Sequence, residues 1–252
     1  MNPKTLPSGL IGLTLVLLLA VACGTPAPAT APKIEAEEWN LVVLGDSTSM
    51  GFGQHYAAAI ESDMGVKVTL NDMWRGGLTT GQLLDDLRTF DVYRKAIKDA
   101  EVITFIANPT DHIGWAIVGD GDQYDCSPKA LAGYKADLDA IIKEIFALRK
   151  GKPTLIRTYD FYNPTYSEWK KLGKYEEYKR CWEAMSVTIH QVAAEKKIPV
   201  AEVYAAFNGP NHDEDPKDQG YILPDGEHPS EAGAKVIAEA FRKLGYVPIV
   251  PY

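Results

Sequence analysis

Five short apolar runs, interleaved with helical patterns, constrain this chain more than any other feature. Leu41–Leu44 is apolar at every position, which suits a strand buried on both faces. Val66–Leu70, Val102–Ala107, Thr154–Thr158 and Ile198–Val203 are the other strand candidates. Helical patterns are read over Tyr56–Met64, Thr80–Phe90, Pro128–Lys150, Tyr175–Lys197 and Ser230–Leu244. The long one carries Leu131, Tyr134, Leu138, Ile141, Ile142 and Ile145 on one stripe, and Ser230 stands where an N-cap belongs. Strand and helix in alternation predict parallel pairing with right-handed crossovers. The expected architecture is α/β: a three-layer α/β/α sandwich on a five-stranded, mainly parallel sheet of flavodoxin-like type. In such sheets ligands sit at the carboxyl ends of the strands, so the residues after each strand carry the interest.

Only part of the 252 residues belongs to that pattern. Residues 1–22 hold Lys4 and then an uncharged run from Leu10 to Ala22, too short for an ordinary membrane span and suited to a secretory signal. It ends in Ala20-Val21-Ala22-Cys23-Gly24, which resembles a bacterial lipobox, with Ala20 where Leu is more usual. The resemblance implies cleavage before Cys23 and lipid on its thiol; a plain signal-peptidase cut nearby is the alternative. Residues 23–38 include TPAPATAPK, a semi-rigid Pro/Ala spacer, and 39–252 form the expected domain. The implied location is a bacterial cell envelope, lipid-anchored and facing the periplasm or the exterior.

With Cys23 assigned to lipid, Cys126 and Cys181 remain, the number for one disulfide in an exported protein. Two separate buried thiols are the alternative. The formal charge of −8 argues against a nucleic-acid partner, since an acidic chain neutralises phosphates poorly. No metal is expected. There is no CxxC, and the acidic run Asp120, Asp122, Asp125 lacks the glycine and the glutamate of a calcium loop.

Four loops hold residues that can do chemistry. Gly45-Asp46-Ser47 ends the first strand and Gly76-Gly77-Leu78-Thr79-Thr80 follows the second. Asn108 follows the third, and Asp225-Gly226-Glu227-His228 precedes the last helix. An Asp three residues before a His can hold one imidazole nitrogen and leave the other as a base. A serine hydroxyl needs such a base to become a nucleophile. These blocks, in this order, resemble the SGNH (GDSL-type) hydrolases, a family of serine esterases and lipases. The resemblance spans residues 45–230. It implies Ser47 as nucleophile, His228 as general base and Asp225 as the group that orients it. The Ser47 and Gly77 N–H groups and the Asn108 side chain would form the oxyanion hole. No cofactor is implied. The substrate would be a small-molecule, glycan or lipid ester: an acyl lipid, a thioester or an O-acetylated carbohydrate. A monomer is expected. The alternative is a non-catalytic ligand-binding surface lipoprotein that keeps the fold.

The third block departs from the family's Gly-x-Asn-Asp and reads Ile106-Ala107-Asn108-Pro109. Proline fixes its own φ and has no N–H, so the loop is expected to turn differently there. Tyr159 to Trp182 is rich in aromatics, which suits either core packing or a substrate wall. His112, close after Asn108, is a candidate for lining the pocket.

Overall fold

The structure is a computed structural model and describes Met1, residues 32–114 and residues 124–252. The chain separates into two units, Met1–Thr30 and Ala31–Tyr252, and the fold described here is the second. The signal segment, Cys23, most of the Pro/Ala spacer, Asp120 and Asp122 lie outside the described residues. Among the described residues no helix is long and apolar enough to cross a membrane.

The elements run β1 (Glu38–Leu44), α1 (Phe52–Met64), β2 (Lys67–Asp72), α2 (Thr80–Thr89), α3 (Asp91–Asp99), β3 (Val102–Phe105), α4 (Thr110–Ile113) and α5 (Pro128–Arg149). Then come β4 (Leu155–Tyr159), α6 (Tyr166–Lys171), α7 (Tyr175–Glu195), β5 (Val200–Ala201), α8 (Val203–Asn208) and α9 (Glu231–Lys243). The five strands are all parallel, in the order β2-β1-β3-β4-β5. Leu41, Val42, Val43 and Leu44 are fully buried, as a central strand covered on both faces requires. One layer holds α1, α8 and α9, and the other holds α2, α3, α5 and α7. The order reverses direction at β1, so the crevice between the carboxyl ends of β1 and β3 is the switch point at which such sheets bind ligands.

Several boundaries differ from the sequence reading. The strand expected to run to Val203 pairs over Val200–Ala201 alone, because Val203 already opens α8. Strand β3 stops at Phe105 rather than Ala107, and β1 begins at Glu38. Helices α3, α4, α6 and α8 were not expected; each is nine residues or shorter. Helix α3 does carry Tyr93, Ala96 and Ile97 on one face toward the core, a stripe short enough at nine residues to be passed over.

Cys126, next to the α5 N-cap Ser127, is disulfide-bonded to Cys181 on α7, 55 residues away. In the chain-entropy model a loop of that length contributes roughly 4 kcal/mol. The aromatic-rich segment is core, not wall. Trp169, Tyr178 and Trp182 are buried and meet Tyr124 and one another edge-on, with ring centroids 5.1 to 5.9 Å apart. Arg157 of β4 is also buried. Its Nη1 donates to Ile156 O (2.9 Å) and its Nη2 to Val247 O (2.8 Å), 90 residues on. Burial holds this guanidinium below its ordinary pKa.

Candidate active site

Ser47 sits where β1 gives way to a single 3-10 turn, Ser47–Ser49. The chain turns this sharply because Gly45 has φ +143°; a Cβ there would collide with Ile106 and with Ser49 Oγ. Asp46 caps the turn, its Oδ1 accepting from Thr48 N–H (3.0 Å) and Thr48 Oγ1 (2.6 Å). Its Oδ2 accepts from Asn108 Nδ2. Asp46 is 2% exposed, and burial raises its pKa against the opposing pull of the Thr48 and Asn108 hydrogen bonds.

Asn108 is 5% exposed and is held through its side chain and its carbonyl. Its Oδ1 accepts from Thr110 N–H (3.0 Å). Its carbonyl accepts from Thr80 N–H (2.8 Å) and Thr80 Oγ1 (2.6 Å). One Nδ2 hydrogen goes to Asp46, which leaves the second available as a donor. Pro109 therefore does not spoil the loop. The side chain is steadied by the N–H two residues on, in an Asx-type turn that needs nothing from residue 109.

Gly77 has φ +66° in a turn closed by Leu78 N–H to Arg75 O (3.1 Å), a conformation that favours glycine. The Arg75 N–H bonds Gly45 O (3.0 Å), which ties this turn to the end of β1. Neither the Ser47 nor the Gly77 N–H has a hydrogen-bond partner among the described residues. Ser47 is half-buried and Gly77 exposed, so both N–H groups are open to an incoming acceptor.

The last piece is a tight loop. Leu223 N–H bonds His228 O (2.8 Å) and Ser230 N–H bonds Tyr221 O (2.8 Å). Asp225 Oδ1 accepts from the N–H groups of Glu227 (2.9 Å) and His228 (3.0 Å). Its Oδ2 lies 3.0 Å from His228 Nδ1, and His228 Nε2 lies 2.9 Å from Ser47 Oγ. Partial burial acts to raise the Asp225 pKa, but those backbone bonds and the imidazole outweigh it and hold the carboxyl low. A charged Asp225 fixes the tautomer that leaves Nε2 free to take a proton from Ser47. Tyr162, buried, anchors the loop by donating to Glu227 O (3.0 Å).

All the expected triad residues thus meet at one place. His112 does not join them: its Nε2 pairs with Asp137 Oδ2 (2.7 Å) and its ring packs over Gly133. Sequence reasoning missed the role of Asp46, seen only as part of a motif. A short acidic side chain just before a turn is a capping signal, but its partner Asn108 lies 62 residues away.

No protein-family model matches the chain. In sequence it is 24% identical over 215 residues to the spore germination lipase LipC of Bacillus licheniformis, covering 81% of this chain and 94% of that protein. In structure it is similar to the lipase Lip_vut3 from a goat rumen metagenome, with a TM-score of 0.66, 21% identity, and 82% of this chain and 98% of that one covered. The fold is that of the SGNH hydrolases. An acetyl xylan esterase from Geobacillus stearothermophilus shares it, with a TM-score of 0.57, 18% identity, and 84% of this chain and 96% of that one covered.

Proposed function

We propose that this SGNH-fold chain is a serine-dependent carboxylic ester hydrolase. The observation that carries the reading is the unbroken relay from Asp225 through His228 to Ser47, with separations of 3.0 and 2.9 Å. Likeness to a lipase in sequence, and to a lipase and an acetyl xylan esterase in fold, supports it.

In this mechanism Ser47 Oγ attacks the ester carbonyl carbon while its proton passes to His228 Nε2. The carbonyl oxygen becomes an oxyanion, met by the N–H groups of Ser47 and Gly77 and the free Nδ2 hydrogen of Asn108. The C–O bond to the alcohol then breaks. The leaving alkoxide takes the proton from His228, and the acyl group stays on Ser47. Water attacks that acyl-enzyme, gives a proton to His228, and the proton returns to Ser47 as the acid leaves.

The substrate is a small-molecule, glycan or lipid ester. A groove beside the Gly77 turn, lined by Arg75, Leu78, Gln82, Asp85 and the half-exposed Phe90, mixes hydrogen-bonding groups with one aromatic face. The deciding experiment is a panel of p-nitrophenyl esters of graded chain length plus acetylated sugars, run on wild type and Ser47→Ala. Turnover should fall by ~10⁴-fold or more in the variant while folding is retained. Near-normal turnover would remove the serine mechanism.

The lipobox-like end of residues 1–22 supports export and a lipid anchor at Cys23, hence an envelope location. Mass spectrometry of membrane-extracted protein should find a diacylglyceryl-modified Cys23 at the N-terminus. An unmodified terminus, or a cut elsewhere, would refute the anchor.

A further inference from the structure

Asp160 and Glu202 immediately follow β4 and β5, which pair as Thr158 with Val200 and Tyr159 with Ala201. Asp160 N–H bonds Ala201 O (3.3 Å), the last bond of that pairing. Both carboxylates lie at the carboxyl ends of their strands, within reach of His190 of α7. His190 Nε2 is 3.6 Å from Asp160 Oδ2 and 3.6 Å from Glu202 Oε2. The three ligand atoms all lie within 4.8 Å of one another.

Those distances are long for hydrogen bonds, which fall at about 2.7–3.2 Å. They fit donors placed around a common centre, since a tetrahedral ion with bonds of about 2.0–2.2 Å sets neighbouring donor atoms about 3.3–3.6 Å apart. The least mobile member is already held. Asp160 is 1% exposed, with Oδ1 accepting from Tyr204 N–H (2.9 Å) and Oδ2 from Ser186 Oγ (2.9 Å). Such outer bonds orient a ligating carboxylate and are part of a working metal site. His190 and Glu202 reach in from the solvent side, so an ion has a path of entry.

We propose that Asp160, His190 and Glu202 form a binding site for a divalent transition ion of the zinc class, with water completing the coordination. An imidazole ligand and only three protein donors exclude a calcium-type site, which wants six to eight oxygens. The ion would clamp the ends of β4 and β5 to α7. It takes no part in the Ser47 relay, so the site stands or falls independently of the esterase reading. A second grouping, Asp111, His112 and Asp137, has similar composition but differs in that its imidazole is already hydrogen-bonded to a carboxylate of the group. His112 pairs with Asp137 at 2.7 Å, and Asp111 accepts from Thr80 Oγ1 (3.1 Å) and Gly81 N–H (2.7 Å). It serves as the internal control.

The test is calorimetric titration of chelator-treated full-length protein with zinc chloride, beside thermal melts in zinc, magnesium and calcium chloride. One zinc per chain should bind and raise Tm, and magnesium and calcium should do neither. His190→Gln and Glu202→Gln, checked for folding by circular dichroism, should each weaken zinc binding by about tenfold or more. His112→Gln and His228→Gln should bind as wild type does. Absence of saturable zinc binding would overturn the site. So would wild-type affinity in His190→Gln, or loss of binding in His112→Gln or His228→Gln.

Discussion

The two halves of the Ser47 site are built in different ways. The inner half, Asp46, Thr48 and Asn108, is buried where β1 and β3 end, and its bonds join residues 62 and 111 positions apart. The rim half is the loop from Tyr221 to Ser230, where the side chains of Asp225 and His228 are 47% and 27% exposed. Its bonds within the loop join near neighbours, and its long-range ties are to Tyr162 and Ser47. The inner half is thus fixed by the sheet before any substrate arrives, which is what stabilising a developing charge demands. The rim half is fixed mainly by its own turn, with solvent close by to share the work.

That contrast orders the expected effects of substitution. Asn108→Ala removes a donor that water cannot replace at the buried end, and should lower kcat and kcat/KM together by roughly 10²- to 10³-fold. Turnover within a few-fold of wild type would mean that the inner half is packing alone.

Asp225→Asn comes next. A buried orienting carboxylate is worth ~10⁴-fold, but Asp225 is half exposed and its loop keeps its backbone turn, so less than about 10²-fold is expected. A loss larger than that of Asn108→Ala would reverse the comparison. The sign of the pH effect follows from the lowered pKa of Asp225. Its bonds stabilise the fold above the unfolded carboxyl range, near pH 4, and this contribution is lost as pH falls through the lower folded value.

Asp46→Asn is smaller in rate and opposite in pH behaviour. The amide cannot accept from both Thr48 N–H and Asn108 Nδ2 while keeping its own hydrogens clear, and about tenfold in kcat is expected. Burial makes native Asp46 hold its proton more tightly than the unfolded chain does. Wild-type stability therefore falls through this group as pH rises from about 4, so denaturation midpoints should shift in the variant's favour over that range. A gap constant with pH would contradict it.

Asp63→Asn probes neither half. Asp63 on α1 accepts two bonds from Arg242 (2.8 and 2.7 Å) and one from Tyr246 (2.8 Å) at the surface. Activity should not change, and the small drop in Tm should vanish in high salt. A change in kcat would show that the site feels the α1–α9 packing.

Legibility followed the range of the interactions. Leu41–Leu44 announced a central strand because burial on both faces leaves no polar position. Ser47, Asn108 and His228 stood out because each follows a strand or precedes a helix within a few residues. The Asp46–Asn108 contact did not, since neither residue alone distinguishes a cap from a partner across the sheet. Val200–Ala201 was over-read because two paired residues make no pattern. Tyr159 to Trp182 could not be decided, because whether an aromatic lines a wall or fills a core depends on where α6 and α7 fold back. Asp160, His190 and Glu202 come from three separate stretches and share no motif.

The buried guanidinium of Arg157 has a consequence for the order of events in synthesis. Its Nη2 acceptor, the carbonyl of Val247, is made 90 residues after it. A chain appearing from its amino end carries a cation into the middle of its sheet long before that partner exists. Strand β4 gains the bond that offsets this burial only when the stretch beyond α9 has been made.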